Sequence, residues 1–174
     1  MKTFDCVVIG GGMVGAASAL SLAELGLTVA VVEKYAPMEF SPEQAFDLRV
    51  SAISLSSIHL LEQLNAWQQI KQWRSCPYQR LGVWEHELCY TEFDAKDIQQ
   101  KNLGSIVENR LIQLSLWQQI AAHPKVTLFC PNTLIDFNQD EQTVSVKLAS
   151  GDISAKLLIA ADGANSQVRQ LADI

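Results

Sequence analysis

Residues 4–33 read FDCVVIGGGMVGAASALSLAELGLTVAVVE, and this stretch decides the fold. Residues 4–9 are β-branched and almost wholly apolar, the pattern of a strand covered on both faces. Residues 14–25 are rich in Ala and Leu, which favour helix, and Gly26 is a natural stop. A second apolar run follows and ends in Glu33. Strand, helix and strand within about thirty residues make a βαβ unit, expected to be parallel and right-handed. Between the first strand and the helix stand Gly10, Gly12 and Gly15, spaced G-x-G-x-x-G. A dinucleotide-binding turn requires that strand-to-helix context. Gly10 suits the tight turn, Gly12 lets the backbone approach a diphosphate, and Gly15 lets the helix pack closely on the strand. The helix N-terminus offers free amides and partial positive charge to phosphate. Glu33 is placed to accept hydrogen bonds from both hydroxyls of a ribose. It would also repel a 2′-phosphate, which argues against NADP as the bound nucleotide. The turn alone does not decide which dinucleotide is bound.

The rest of the composition sets bounds. A chain of 174 residues suits one domain, or one domain with a piece of a second, and 48% apolar residues can fill a core. Thirteen Lys and Arg against nineteen Asp and Glu give a net charge of −6 with no basic stripe, which argues against nucleic acid. Cys6, Cys76, Cys89 and Cys130 form no C-x-x-C pair, and Cys6 and Cys130 fall in strand-like text, so reduced, buried thiols are expected. Neither these thiols nor His59, His86 and His123 show ligand spacing, so no metal site is expected. Met1-Lys2 leads directly into the first strand, which leaves no room for a signal peptide. No apolar run approaches the ~20 residues of a membrane span, and a cytoplasmic location is expected.

Beyond the βαβ unit, residues 36–46 read as a loop. A single helix is expected over 56–67 with Leu60, Leu61, Leu64 and Trp67 on one face. Residues 80–85 and 88–94 read as a two-stranded hairpin. Residues 111–121 carry apolar side chains on two faces and are expected as a largely buried helix. Residues 126–130 suit a short parallel strand. Residues 134–137, 143–148 and 153–161 suit a three-stranded meander, whose middle strand alternates Val144, Val146 and Leu148 with Ser145 and Lys147. The expected division is 1–74 (nucleotide-binding βαβ unit and helices), 75–100 (a hairpin of an incomplete second domain) and 101–174 (the rest of the first).

Residues 157–161 form an apolar run, and Asp162 follows at the strand's carboxyl end, where ligands bind in open α/β sheets. The motif continues Asp162-Gly163-Ala164-Asn165-Ser166-Gln167-Val168-Arg169 into a helix. Taken with the glycine turn, this segment resembles the aromatic hydroxylase class of flavoprotein monooxygenases, of the p-hydroxybenzoate hydroxylase type. The stretch Asp47-Leu48-Arg49-Val50-Ser51-Ala52-Ile53-Ser54 is similar to the family segment whose arginine reaches the flavin diphosphate. Residues 104–117 are similar to the family helix whose glutamine, here Gln113, meets the flavin ribityl chain; a backbone carbonyl would satisfy that amide equally well. The segments Trp84-Glu85-His86-Glu87 and His123-Pro124-Lys125-Val126-Thr127 are similar to the ubiquinone-biosynthesis hydroxylases, and among these to the hydroxylases of 2-octaprenyl-3-methyl-6-methoxy-1,4-benzoquinol.

The resemblance implies a Rossmann-like α/β FAD-binding domain with a three-stranded meander and part of a substrate-domain sheet. It covers only the N-terminal part of such an enzyme. The cofactor residues it implies are Gly10, Gly12, Met13, Val14, Gly15, Glu33, Lys34, Arg49, Gln113, Leu134 and Asp162; it names no catalytic side chain. It further implies FAD as cofactor, NAD(P)H as reductant, and O2 and a prenylated benzoquinol as substrates. The enzyme would work with other ubiquinone-pathway proteins, peripheral to the inner membrane. The chain alone is expected not to turn over, and to dimerise through the exposed edge of its hairpin. Two alternatives stay open. One is another FAD oxidoreductase, such as an amine or hydroxy-acid oxidase. The other is a non-catalytic nucleotide-binding module. A Val at Gly12 is expected to block the diphosphate and to overpack the turn.

Overall fold

The computed structural model describes residues 1–86 and 88–174. In chain order the elements are β1 (Lys2–Ile9), α1 (Met13–Glu24), β2 (Val29–Val32), β3 (Val50–Ser54), α2 (Leu55–Gln63), α3 (Trp67–Trp73), β4 (Cys76–Tyr78), β5 (Arg80–Trp84) and β6 (Tyr90–Asp94). A 3-10 turn at Ala95–Ile98 precedes β7 (Gly104–Glu108), α4 (Asn109–Ala122), β8 (Val126–Phe129), β9 (Leu134–Gln139), β10 (Val144–Leu148), β11 (Gly151–Ala160) and α5 (Gln167–Leu171). The chain forms two compact units, Met1–Glu39 with Gln113–Ile174, and Phe40–Ile112.

The first unit is built on one six-stranded sheet in the order β8-β2-β1-β11-β10-β9. β8, β2, β1 and β11 run parallel, while β9, β10 and β11 form the antiparallel meander. β11 belongs to both halves: Val144–Leu148 pair with its first residues, and β1 pairs along it from Ile153 to Ala160. The register between β1 and β11 brings Ile9 beside Ala160, so the glycine turn and Asp162 leave the sheet at the same end. The apolar runs of β1 and β2 are buried because they are central strands, with Val7, Val8, Val29 and Val31 wholly inaccessible. The alternation expected in β10 appears as buried Val144, Val146 and Leu148 between exposed neighbours. These three join Phe4, Val7, Ile9, Leu134, Ile153 and Val168 in one apolar cluster.

Asp5 ties β1 to β11 and to the residue that precedes β2. Its carboxylate accepts hydrogen bonds from Lys156 Nζ (2.8 Å), Thr28 Oγ1 (2.8 Å) and the Thr28 amide (3.0 Å). The lysine bond first, then the two threonine bonds, hold this carboxyl well below the usual carboxylate range. α1 ends as its sequence suggests. Gly26 takes φ +92°, its amide bonds Ala23 O, and the Leu27 amide reaches Leu22 O, a paired closure that satisfies two terminal carbonyls.

The second unit holds a three-stranded sheet, β3-β7-β4, and the separate hairpin β5-β6. The expected helix over 56–67 is in fact two. α2 stops at Gln63 because Asn65 adopts a left-handed conformation (φ 58°), with the Asn65 amide on Glu62 O and the Ala66 amide on Leu61 O. α3 then starts at Trp67. Ile58, Leu61, Leu64 and Trp67 are buried, whereas Leu60, expected on that face, is 38% exposed. The segment likened to one helix over 104–117 begins instead as β7, and the helix starts at Asn109. Arg74 clamps the loop before β3. Its guanidinium donates to the carbonyls of Pro42 and Gln44 at 2.7 Å, lies over the Phe46 and Phe40 rings, and sits 3.7 Å from the buried Glu108 carboxylate. Glu108 also accepts the Asp47 amide, and Asp47 pairs with Arg110 at 2.8 and 3.0 Å. Of the segment Trp84-Glu85-His86-Glu87, Glu87 lies outside the described residues. Among the described residues, no helix is long and apolar enough to cross a membrane.

Candidate functional site

The site is a cleft of about 230 Å³ in the first unit, at the carboxyl ends of β1, β2 and β11. Its lining comes from Ile9 and Gly10, from Val32, Glu33 and Lys34, from Asn132, Thr133 and Leu134, and from Asp162, Asn165 and Gln167. Carboxyl ends of parallel strands are where open α/β sheets bind ligands, because the strands deliver loops and helix N-termini there.

Each glycine of the turn has a separate structural reason. Gly10 has φ +102°, and a Cβ there would run into the Ala161 carbonyl and approach the Asp162 nitrogen to 2.9 Å. The two sequence motifs therefore abut at backbone distance, fixed also by the Ala161 amide bonding Ile9 O (2.8 Å). A Cβ on Gly15 would collide with the Gly10 carbonyl oxygen, so the helix lies directly on the turn. Gly12 is different: a Cβ there meets nothing within 4 Å. The overpacking expected for Val at this position has no neighbour to act on. Gly12 caps α1 with no side-chain hydrogen bond, and no acidic residue occupies the first turn, so that turn still presents orphan amides.

Glu33 lies just past β2. Its Oε2 accepts the Gly11 amide at 2.6 Å, and Oε1 accepts the amides of Lys34 and Tyr35 at 2.8 and 3.1 Å. The carboxylate thus braces the glycine turn as well as facing the cleft. Gln113, expected against a ribityl chain, donates its Nε2 to the Gly11 carbonyl at 2.8 Å, the backbone-carbonyl alternative for this amide. Trp117 Nε1 donates to the same oxygen at 2.7 Å. Trp117 was invisible as a functional residue in the sequence because a tryptophan in an apolar helix reads as core. Its spacing four residues after Gln113 was the available signal, since such residues share one helix face.

Asp162 follows β11. Burial disfavours its charge, but the nearby Ser166 hydroxyl and the amides of Val168, Asp162 and Gln167 outweigh that and hold its carboxyl below the ordinary value. Its Oδ2 accepts the Val168 amide at 3.1 Å, while Oδ1 is buried with no hydrogen-bond partner among the described residues. Asn132, which sequence reasoning passed over, is buried and donates its backbone N–H to Glu33 O (2.9 Å). Of the remaining expected residues, Lys34 and Leu134 line the cleft. Met13 and Val14 lie on the first turn of α1, with Val14 exposed to solvent. Arg49 is exposed just before β3 in the second unit, where its carbonyl accepts the Asn109 amide.

Residues 3–174 match the FAD binding domain family. The chain is 45% identical over 171 residues to 3-demethoxyubiquinol 3-hydroxylase of Escherichia coli, covering 98% of this chain and 44% of that protein. It is 34% identical over 183 residues to the mitochondrial ubiquinone biosynthesis monooxygenase COQ6 of Caenorhabditis elegans, covering 98% of this chain and 40% of that one. The chain therefore spans less than half the length of these relatives. Among solved structures, p-nitrophenol 4-monooxygenase PnpA of Pseudomonas putida superposes with a TM-score of 0.76 at 22% identity, over 99% of this chain and 44% of that one. The flavin-dependent monooxygenase PieE, solved with FAD and substrate, gives 0.75 at 15% identity, over 99% and 32%. These two likenesses establish the fold, an α/β architecture with a mixed sheet.

Proposed function

The chain belongs to the FAD binding domain family, and from that premise we propose that it is the FAD-binding part of a flavin monooxygenase that hydroxylates a prenylated benzoquinol in ubiquinone biosynthesis. The observation that carries the cofactor assignment is Asp162 Oδ1, a buried acceptor without a partner among the described residues, beside a glycine turn whose Gly12 faces open space. A buried unsatisfied acceptor costs about 1–3 kcal/mol. A hydroxyl-rich ligand at the carboxyl end of β11 would satisfy it. The residues present therefore fit FAD.

In this reading Gly12 and the first amides of α1, with Met13 and Val14, hold the diphosphate. Glu33 accepts from the adenosine ribose while Lys34 and Leu134 wall the adenosine. Asp162 would accept from the ribityl chain. When bound, FAD would supply the redox chemistry, with NAD(P)H as reductant and O2 as co-substrate. The chain's own residues bind and orient it. The substrate class is supported by the relatives, a 3-demethoxyubiquinol 3-hydroxylase at 45% identity and a ubiquinone biosynthesis monooxygenase at 34%. The β5-β6 hairpin belongs, in this reading, to the substrate-domain sheet. Its Val83, Trp84, Tyr90 and Phe93 are exposed, and an uncovered edge of this kind pairs with another copy when nothing else covers it. The whole enzyme would work in the cytoplasm at the inner-membrane surface, beside other proteins of its pathway, because its substrate carries a prenyl tail.

Fluorescence titration with FAD, beside ADP-ribose and NAD, tests the assignment. Tightest binding of FAD with quenching of its emission supports it. Equal binding of all three would reduce the site to an ADP pocket, and no binding would refute it.

A further inference from the structure

We propose that Trp117 is a positioning residue that aims the Gly12 amide at the diphosphate of a dinucleotide. This deepens the function proposed above and rests on it. Gly10, Gly11 and Gly12 form a run with more backbone freedom than any other sequence would have. Such a run needs outside restraints to hold one conformation, and two elements supply them. From the end of β2, Glu33 Oε2 takes the Gly11 amide at 2.6 Å. From α4, Trp117 Nε1 and Gln113 Nε2 donate to the Gly11 carbonyl at 2.7 and 2.8 Å, which engages both of its lone pairs.

A trans peptide is planar, so the carbonyl of Gly11 and the N–H of Gly12 point in opposite directions. Holding the carbonyl against α4 therefore turns the Gly12 N–H away from α4. Gly11 is closed in on its own side: a Cβ there would lie 2.9 Å from Glu33 Cβ and 3.0 Å from Trp117 Cζ2. Gly12 has open space. If this peptide flipped, a carbonyl oxygen would face the ligand, and an anionic diphosphate would be repelled where it is now offered a donor. The indole thus selects the anion-binding orientation without touching the ligand.

The test compares ADP with adenosine by calorimetry on the whole chain, for the wild type, Trp117→Phe, Gln113→Leu and the double variant. Phe keeps most of the ring packing and removes only the donor. Trp117→Phe should weaken ADP by about three- to tenfold, the worth of one hydrogen bond, and the double variant by more than about tenfold. Adenosine, which has no phosphate, should bind all four proteins alike. Equal loss of ADP and adenosine would reduce Trp117 to a packing residue, and unchanged ADP binding in the double variant would overturn the proposal. Should Trp117→Phe fail to fold, Gln113→Leu carries the same expectation of selective ADP loss. A wild type that binds ADP no better than adenosine would refute the dinucleotide reading itself, an outcome distinct from a wild-type preference that the variants retain.

Discussion

Adding one methyl group at Gly12 or at Gly15 should separate folding from binding. At Gly15 the new Cβ collides with the Gly10 carbonyl oxygen and lies 3.1 Å from Ala161 Cβ. The first belongs to the turn and the second follows β11, so α1 must lift from the sheet. Overpacking of this kind costs about 1–3 kcal/mol. Alanine recovers up to about 1 kcal/mol of helix propensity. A net loss of about 1–2 kcal/mol remains, or about 2–8 °C in Tm for a chain of this size. At Gly12 the backbone is extended (φ −65°, ψ −179°), a conformation alanine adopts freely, and the Cβ touches nothing. Reduced freedom of the unfolded chain favours Gly12→Ala by about 0.4–1 kcal/mol, and poorer N-capping takes back a similar amount. Stability should stay within about 1 kcal/mol of wild type while ADP affinity falls by about tenfold or more. Urea unfolding gives the first quantity and calorimetric ADP titration the second. Wild-type ADP affinity in Gly12→Ala, or unchanged stability in Gly15→Ala, would refute this account of the turn.

Other perturbations test separate parts of the structure. Asp5→Asn should lower stability at neutral pH and flatten the acid limb. Because the folded-state pKa is depressed, the stabilisation is present above the ordinary carboxylate value near 4 and disappears as pH falls toward the lower folded-state value; an identical acid limb in the variant would contradict the network with Lys156 and Thr28. Arg74→Leu should cost about 3–5 kcal/mol because buried Glu108 is left without its ion-pair partner, while Arg74→Leu with Glu108→Leu should recover much of that loss; equal loss in both, measured by chemical unfolding, would show that the pair does not set the cost. Light scattering across a concentration series should show a dimer that dissociates on dilution, and Val83→Lys on β5 should shift it toward monomer; a monomeric mass at high concentration would rule out pairing through the hairpin.

The parts of the fold legible in the sequence are those where two independent signals coincide. β1, α1 and β2 combine apolar runs with glycines at fixed spacing, and Gly26 closes α1 in the left-handed conformation its position suggests. β10 announces itself by alternation and β11 by its apolar run. The second unit gives weaker signals. β4 is three residues long with Pro77 in the middle, which local propensity counts against a strand. β3 is half-exposed and polar at Ser51 and Ser54. The break between α2 and α3 rests on Asn65, and a left-handed asparagine competes poorly with the continuous apolar spacing around it. In the site, the close backbone approach at Gly10 and Gly15 was legible because local backbone chemistry demands it. The partner of Gln113 and the part played by Trp117 were not, because both depend on a contact across more than a hundred residues.

The most direct measurement is a crystal structure of this chain with FAD. The account predicts diphosphate oxygens within about 3 Å of the Gly12 amide, adenosine ribose hydroxyls on Glu33, and a ribityl hydroxyl on Asp162 Oδ1. A dinucleotide bound away from the glycine turn, or bound there with Asp162 Oδ1 still without a partner, would contradict it.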